Sequence, residues 1–310
     1  MNNKIEINDL LGLSKPTTKL IELVSNAIGT VYEPRKVKKL ADAEAYRIKK
    51  ITTSAQETGF NGEIEFLDDK IKINSNNLEF KLLVKNEVKR LFNENENIKK
   101  IADFAYNELD NDMTDINEEI DEDWKNDFFD KSRKIYNEDL QFIFGKILAG
   151  EIKQPGTHSK RLLNTLSTLS QKEAITFNKI SKYVFRASKS AFIISKKEIL
   201  DTFDIKLEDI IILEEAGLIN SNPLVISGTN LYQYKDYLIN FFDQQPKLDI
   251  YFLTNSGKEL EKIINQEIST DYLLKIKNLY NINKVSYSII LNKKIKGDQI
   301  TYSLKNTQEI

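Results

Sequence analysis

The stretch AFIISKKEILDTFDIKLEDIIILEEAGLI, Ala191–Ile219, decides how the chain is read. Its first residues are a short branched apolar run, the pattern of a buried strand. Ser195 followed three residues later by Glu198 has the form of a capping box, so a helix over KKEILDTF is expected to begin there. LEDIIILEEAGLI then predicts a second helix stopped by Gly217, a residue that tolerates the left-handed backbone of a helix end. Downstream the chain turns extended and Tyr-rich, in NLYQYKDYLINFF (230–242) and KLDIYFLTNS (247–256), before a helix over GKELEKIINQ. A further helix, Tyr272–Leu279, and two strands, VSYSIIL and QITYSL, complete the tail.

A strand, two helices ending in GLI, two strands and then LTNSGKEL resemble a winged helix-turn-helix module. That resemblance implies DNA binding, and the charges argue against it. The second helix carries Glu208, Asp209, Glu214 and Glu215, with no Lys or Arg between Leu207 and Gly217. Duplex affinity rests on neutralising phosphates, so this face repels DNA and the module is expected to serve packing or protein contact.

Upstream the periodicity is helical and well punctuated. Asp121 caps DWKNDFFDKSRKIY, Asn137 caps EDLQFIFGKILAG, Ser159 caps KRLLNTLSTL, and Ser170 with Glu173 forms a capping box for QKEAITFNKISKYVF. Trp124, Phe128, Phe144, Leu148, Leu162, Leu166 and Phe177 are expected in the core. Leu78–Leu109 predicts one long helix, with a kink expected at the asparagine-rich NENEN near Asn95. Before it, NGEIEFLDDKIKIN alternates as a β-hairpin does.

The N-terminal part is amphipathic. Leu20, Ile21, Val24, Ile28 and Val31 make a helical stripe after Ser14, and Gly29 and Glu33-Pro34 interrupt it. Val37, Leu40, Ala41, Ala45, Ile48 and Ile51 make a second stripe. Its opposite face carries Arg35, Lys36, Lys38, Lys39, Arg47, Lys49 and Lys50, the densest basic cluster in the chain. Such a face suits a partner chain, an anionic membrane surface or, less readily, nucleic acid. The reading is therefore a mainly α protein: a multi-helix body with a small β-hairpin, plus a C-terminal α/β winged-helix-like module. Its parts are residues 1–60 (amphipathic helices), 61–112 (hairpin and long helix), 113–188 (helical bundle) and 189–310 (the winged-helix-like module).

Chemistry is sparsely encoded. Cysteine is absent and His158 is the only histidine, which removes disulfides, thiolate catalysis and paired-imidazole sites. No Gly-rich phosphate loop, G-x-S-x-G or H-E-x-x-H is present, and no cofactor is called for. The net charge of −2 gives no global pull towards nucleic acid. MNNKIEIND lacks the pattern of a secretory signal, and the apolar run LVSNAIGTVY is too short to span a bilayer, so a cytoplasmic protein, peripheral at the inner membrane at most, is expected.

One motif stands out, KILAGEIKQPGTHSKRLLNTLSTLS from Lys146 to Ser170. Gly150 is expected to end one helix, Pro155-Gly156 to make a turn, and Ser159 to start the next. The same stretch has a rival reading. Glu151-Ile152-Lys153 fits the E-x-K element of a magnesium-dependent nuclease, and His158 could act as a general base beside it. No other catalytic residue or metal ligand is indicated.

DEDWKNDFF, LQFIFGKILAGEIKQPGTHSKRLLNTLSTLSQKEA, LEEAGLI and FLTNSGKEL, with LLGLSKPTTKLIE and YEPRKVKKLADAEAYRIK, resemble a bacterial domain-of-unknown-function family with the hallmark LAGEI-x-x-PG-x-x-S. In architecture the chain is more distantly similar to the abortive-infection Abi-alpha family. The resemblance implies a role in antiviral defence or stress response and supplies no catalytic residues. The expected function is a non-enzymatic interaction protein that self-associates and contacts another protein, with the magnesium-dependent nuclease or nucleic-acid binder as the alternative.

Overall fold

The computed structural model describes residues 24, 25, 27, 62–67, 70–75, 78–109, 119–188, 190–242, 245–264, 269–296 and 299–310. The chain divides into two compact units, Met1–Leu163 and Asn164–Ile310.

The first unit contains the expected hairpin. Strand β1 (Gly62–Leu67) pairs antiparallel with β2 (Lys70–Ser75), placing Ile64 opposite Ile73 and Phe66 opposite Ile71. Helix α1 (Leu78–Glu108) follows and runs unbroken through Asn95. Asparagine lowers helix propensity without removing a backbone donor, and Asn97 in the same run is buried and bonded. Helices α2 (Glu122–Ser132) and α3 (Glu138–Lys153) pack with it. Both are capped as their sequences predict: Trp124 N donates to Asp121 Oδ1 at 2.8 Å, and Leu140 N to Asn137 Oδ1 at 3.0 Å. The aromatic residues are core, since Trp124 stacks on Phe128 with centroids 5.0 Å apart and Phe128 lies 5.6 Å from Phe144. α1 and α3 approach closely at Gly145, where a Cβ would stand 2.4 Å from that of Phe104. A polar strut crosses the same bundle: Gln141 Nε2 donates to Asn97 Oδ1 at 3.0 Å and to Ile135 O at 2.8 Å, and Asn97 Nδ2 donates to Arg133 O at 2.9 Å.

Helix α4 (Lys160–Thr168) carries the division between the units, and its first turn is capped by Ser159, whose Oγ accepts from Leu162 N at 3.1 Å. Helix α5 (Gln171–Ser181) starts with the predicted Ser170–Glu173 capping box. Then come β3 (Phe185–Ala187), β4 (Ser190–Ile194), α6 (Lys197–Thr202), α7 (Leu207–Glu215), β5 (Ile219–Ile226), β6 (Leu231–Tyr234), β7 (Tyr237–Phe242) and β8 (Leu248–Leu253). Helices α8 (Asn255–Ile263) and α9 (Thr270–Leu279) and strands β9 (Lys284–Lys296) and β10 (Gln299–Glu309) complete the unit.

This second unit overturns the mainly α reading and its small winged module. Its strands form one eight-stranded antiparallel sheet in the order β10-β9-β7-β6-β3-β4-β8-β5. Three features hid it. Strand β3 is only three residues long and starts at Phe185, where the helical pattern of QKEAITFNKISKYVF ends, yet it is the bridge that joins the β4 and β6 sides of the sheet. Strand β5 is an edge, so its polar INSNP start and exposed Leu224 and Val225 do not alternate as a half-buried strand does. The tail strands add to β7 across a long sequence separation, a pairing that no local pattern announces.

Burial explains why the sheet holds. Phe185 sits among the rings of Phe192, Tyr232, Tyr234, Phe241 and Tyr272, all shielded from solvent. Aromatic pairs prefer offset-stacked and edge-on arrangements, and both occur here: Phe185 is stacked with Phe192 and Tyr272, tilted against Tyr234 and edge-on to Tyr232 and Phe241. Burial pushes the Tyr232 and Tyr280 hydroxyls up to about 12. A charged cluster is buried too: Glu261 pairs with Arg186 and with Lys235, whose Nζ lies 2.8 Å from its carboxylate and 2.6 Å from Ser181 O. Desolvation draws the Lys235 amine below its usual value, opposed by Glu261.

Two local expectations also fail. Ser195 does not cap α6, which begins after Lys196 without a side-chain cap, because Ser195 N donates to Asp249 O at 2.8 Å as an extension of the β4–β8 ladder. Gly150 does not end α3, which continues to Lys153 with Gln154 as its C-cap. Gly217 does stop α7, at φ +70°. Among the described residues no helix is long and apolar enough to cross a membrane.

Candidate functional site

The LAGEIKQPGTHS motif builds a tight corner between α3 and α4. Glu151 lies in the last turn of α3 and is only 1% exposed. A carboxylate there is doubly disfavoured, by desolvation and by the negative end of the helix dipole. Backbone donors offset both costs. Gly156 N donates to Glu151 Oε1 at 2.6 Å, and His158 N donates to Oε2 at 2.9 Å. Both carboxylate oxygens thus hold the turn that follows the helix. Charge-assisted bonds of this kind are stronger than neutral ones.

The rest of the motif serves the same geometry. Pro155 precedes Gly156, which takes φ +80°, the left-handed region that favours glycine. Thr157 Oγ1 donates to Gln154 O at 2.6 Å. Trp124 Nε1, from α2, donates to His158 O at 2.8 Å and ties the loop to the aromatic core. Gly150 is small because the imidazole lies against it: a Cβ there would meet His158 Nε2 at 2.6 Å. Ser159 then caps α4.

Glu151 meets the backbone N–H of His158, while Lys153 Nζ donates to Glu108 O at 3.0 Å. The E-x-K element lies on a helix, with its acid and its amine directed to different partners. Among the described residues there is no group of three or more His, Asp or Glu side chains that could hold a metal ion.

With this corner described, its family can be given. The family DUF2806, a protein of unknown function, matches residues 81–277. The chain belongs to the DUF2806 family. The search of curated proteins and the search of solved structures found no match. The DUF2806 region holds the whole corner and the sheet from β3 to β8, and ends within α9. The basic residues Arg35, Lys36, Lys38, Lys39, Arg47, Lys49 and Lys50 precede the DUF2806 region and lie outside the described residues.

Sequence reasoning missed two polar clusters inside the DUF2806 region. Asn97 and Gln141 occupy apolar phases, four residues before Ile101 and three before Phe144, and that misplacement was the available signal. Glu261, Arg186 and Lys235 are far apart in sequence and gave none. The Trp124 contact leads to a modest prediction. Trp124→Phe keeps most of the ring stack and deletes the bond to His158 O, so unfolding should become easier by about 1–2 kcal/mol, read by urea denaturation followed by circular dichroism. An unchanged midpoint would remove Trp124 from the corner's support.

Proposed function

We propose that this DUF2806 protein is a non-enzymatic interaction protein of bacterial phage defence or stress response. It acts through its basic amphipathic N-terminal segment on an anionic membrane surface, and it self-associates or meets a protein partner there. The observation that carries the non-enzymatic reading is the engagement of Glu151. Its two oxygens accept from Gly156 N and His158 N, so the hallmark LAGEI-x-x-PG-x-x-S reads as a device for turning the chain. The likeness to the Abi-alpha family supports the defence role, and the clustering of seven basic residues beside an apolar stripe supports the membrane. Attraction near an anionic surface is about 1 kcal/mol per basic residue, enough for several together to hold the protein peripherally.

Flotation with anionic liposomes tests this reading. Wild type should float, and a variant with Lys36, Lys38, Lys39 and Lys49 changed to Glu should stay in the dense fraction. Wild type that stays below would sink the membrane role.

A further inference from the structure

Three polar side-chain atoms where α1, α2 and α3 meet are closed off from solvent and have no hydrogen-bond partner among the described residues: Ser132 Oγ, Arg133 Nε and Gln141 Oε1. Ser132 and Gln141 are each only 1% exposed. Leaving such atoms bare is costly, and buried polar groups in folded proteins are nearly always satisfied. The orientation of the Gln141 amide is fixed by its neighbours. Arg133 O requires a donor from Asn97, which fixes Asn97 Oδ1 as an acceptor towards Gln141. Gln141 must then present its NH₂ to Asn97 Oδ1 and to Ile135 O, and its oxygen is turned away from both.

We propose that this junction is an internal hydration site, with an ordered water held between Ser132 Oγ, Arg133 Nε and Gln141 Oε1. The three residues that carry these atoms are tied together through their other groups: Ile135 N donates to the backbone O of Ser132, Ile135 O accepts from Gln141 Nε2, and Asn97 bridges Arg133 O and Gln141. Their chemistry selects the occupant. Arg133 Nε–H can only donate and Gln141 Oε1 can only accept, so the guest must do both. A cation is repelled by the guanidinium of Arg133, with Arg90 nearby on Glu94. An anion is repelled by Gln141 Oε1 and by Glu94, whose carboxylate lies 3.8 Å from Arg133 Nη1, with Asp130 also on that guanidinium. A neutral molecule of water's size remains. It would accept from Arg133, donate to Gln141 and exchange a bond with Ser132, about three bonds in all, as buried waters commonly make. The site is independent of the proposed function and concerns how the three helices are joined.

A crystal structure at about 1.5 Å resolution is the direct test. It should show a density peak about 2.7–3.2 Å from Gln141 Oε1 and Arg133 Nε, and a well-defined junction without that peak overturns the proposal. Ser132→Ala gives a second test by its sign. Removing a hydroxyl that bonds the water should lower Tm by about 2 °C or more. A Tm that holds or rises would mean that the hydroxyl had no partner to lose, and the hydration site would be rejected.

Discussion

Glu151→Ala should destabilise the first unit by roughly 2–4 kcal/mol, the largest effect expected of any side chain in the corner. The truncation strips two backbone donors, Gly156 N and His158 N, of their acceptors and leaves a cavity where a buried carboxylate stood. Gly156 is exposed, so water can take over part of its bond, which places the effect below the sum of two fully buried losses. Glu151→Gln separates size from acceptor count. The amide keeps one oxygen and turns its NH₂ towards the second backbone N–H, so about half of the loss should remain. Trp124 is the only tryptophan and donates to His158 O, so its fluorescence reports the corner directly in a urea titration. A shift under about 0.5 kcal/mol, the usual size for surface substitutions, would show that the carboxylate does not hold the turn, and the structural reading of the motif would fall with it.

Gly257→Ala should be comparably damaging in the second unit, about 3 kcal/mol. The added Cβ would stand 2.1 Å from Leu218 O and 3.1 Å from Leu218 C. Those are backbone atoms, and no side-chain rotation can move them aside. The site is also tied from three sides. Thr254 N donates to Leu218 O at 3.0 Å, Thr254 Oγ1 donates to Gly217 O at 2.6 Å, and Gly257 N donates to Thr254 Oγ1 at 3.1 Å. Relieving the clash therefore means pulling the start of α8 off the turn between α7 and β5, which loses those bonds. Thermal unfolding followed by far-ultraviolet circular dichroism measures it. A melting temperature equal to that of wild type would mean that the close approach is not real.

These two sites differ in how far the sequence announced them. The corner was legible as a turn, because its Pro-Gly pair and capping Ser159 act locally. Gly150 was misjudged because glycine at a helix end usually stops it. Here the reason for glycine is a contact with His158, eight residues on, and no propensity encodes that. Gly257 was similarly opaque, being small on account of a carbonyl 39 residues earlier, that of Leu218. The same limit governed the fold. Helices capped by Asp121, Asn137, Ser159 and Ser170 were readable because their signals lie within a turn of the helix they start. The sheet was not, because its order joins β3 to β6 and β7 to β9 over long separations, and its edge strand lacks alternation.

That edge strand has a bearing on how the protein survives at high concentration. β5 is outermost and shows Leu224 and Val225 to solvent, the kind of strip on which a second chain could extend the sheet indefinitely. Pro223 stands beside them with no N–H to offer, within the stretch between Asn220 and Leu224 where the register with β8 shifts. Ser221 N and Asn222 N in the same stretch already donate to Glu214 Oε1 and Asn220 Oδ1, so this part of the strand has few backbone donors left to offer. The irregularity that concealed β5 in the sequence thus also takes one N–H away from an edge strand, and a β-branched residue in place of the proline would restore it.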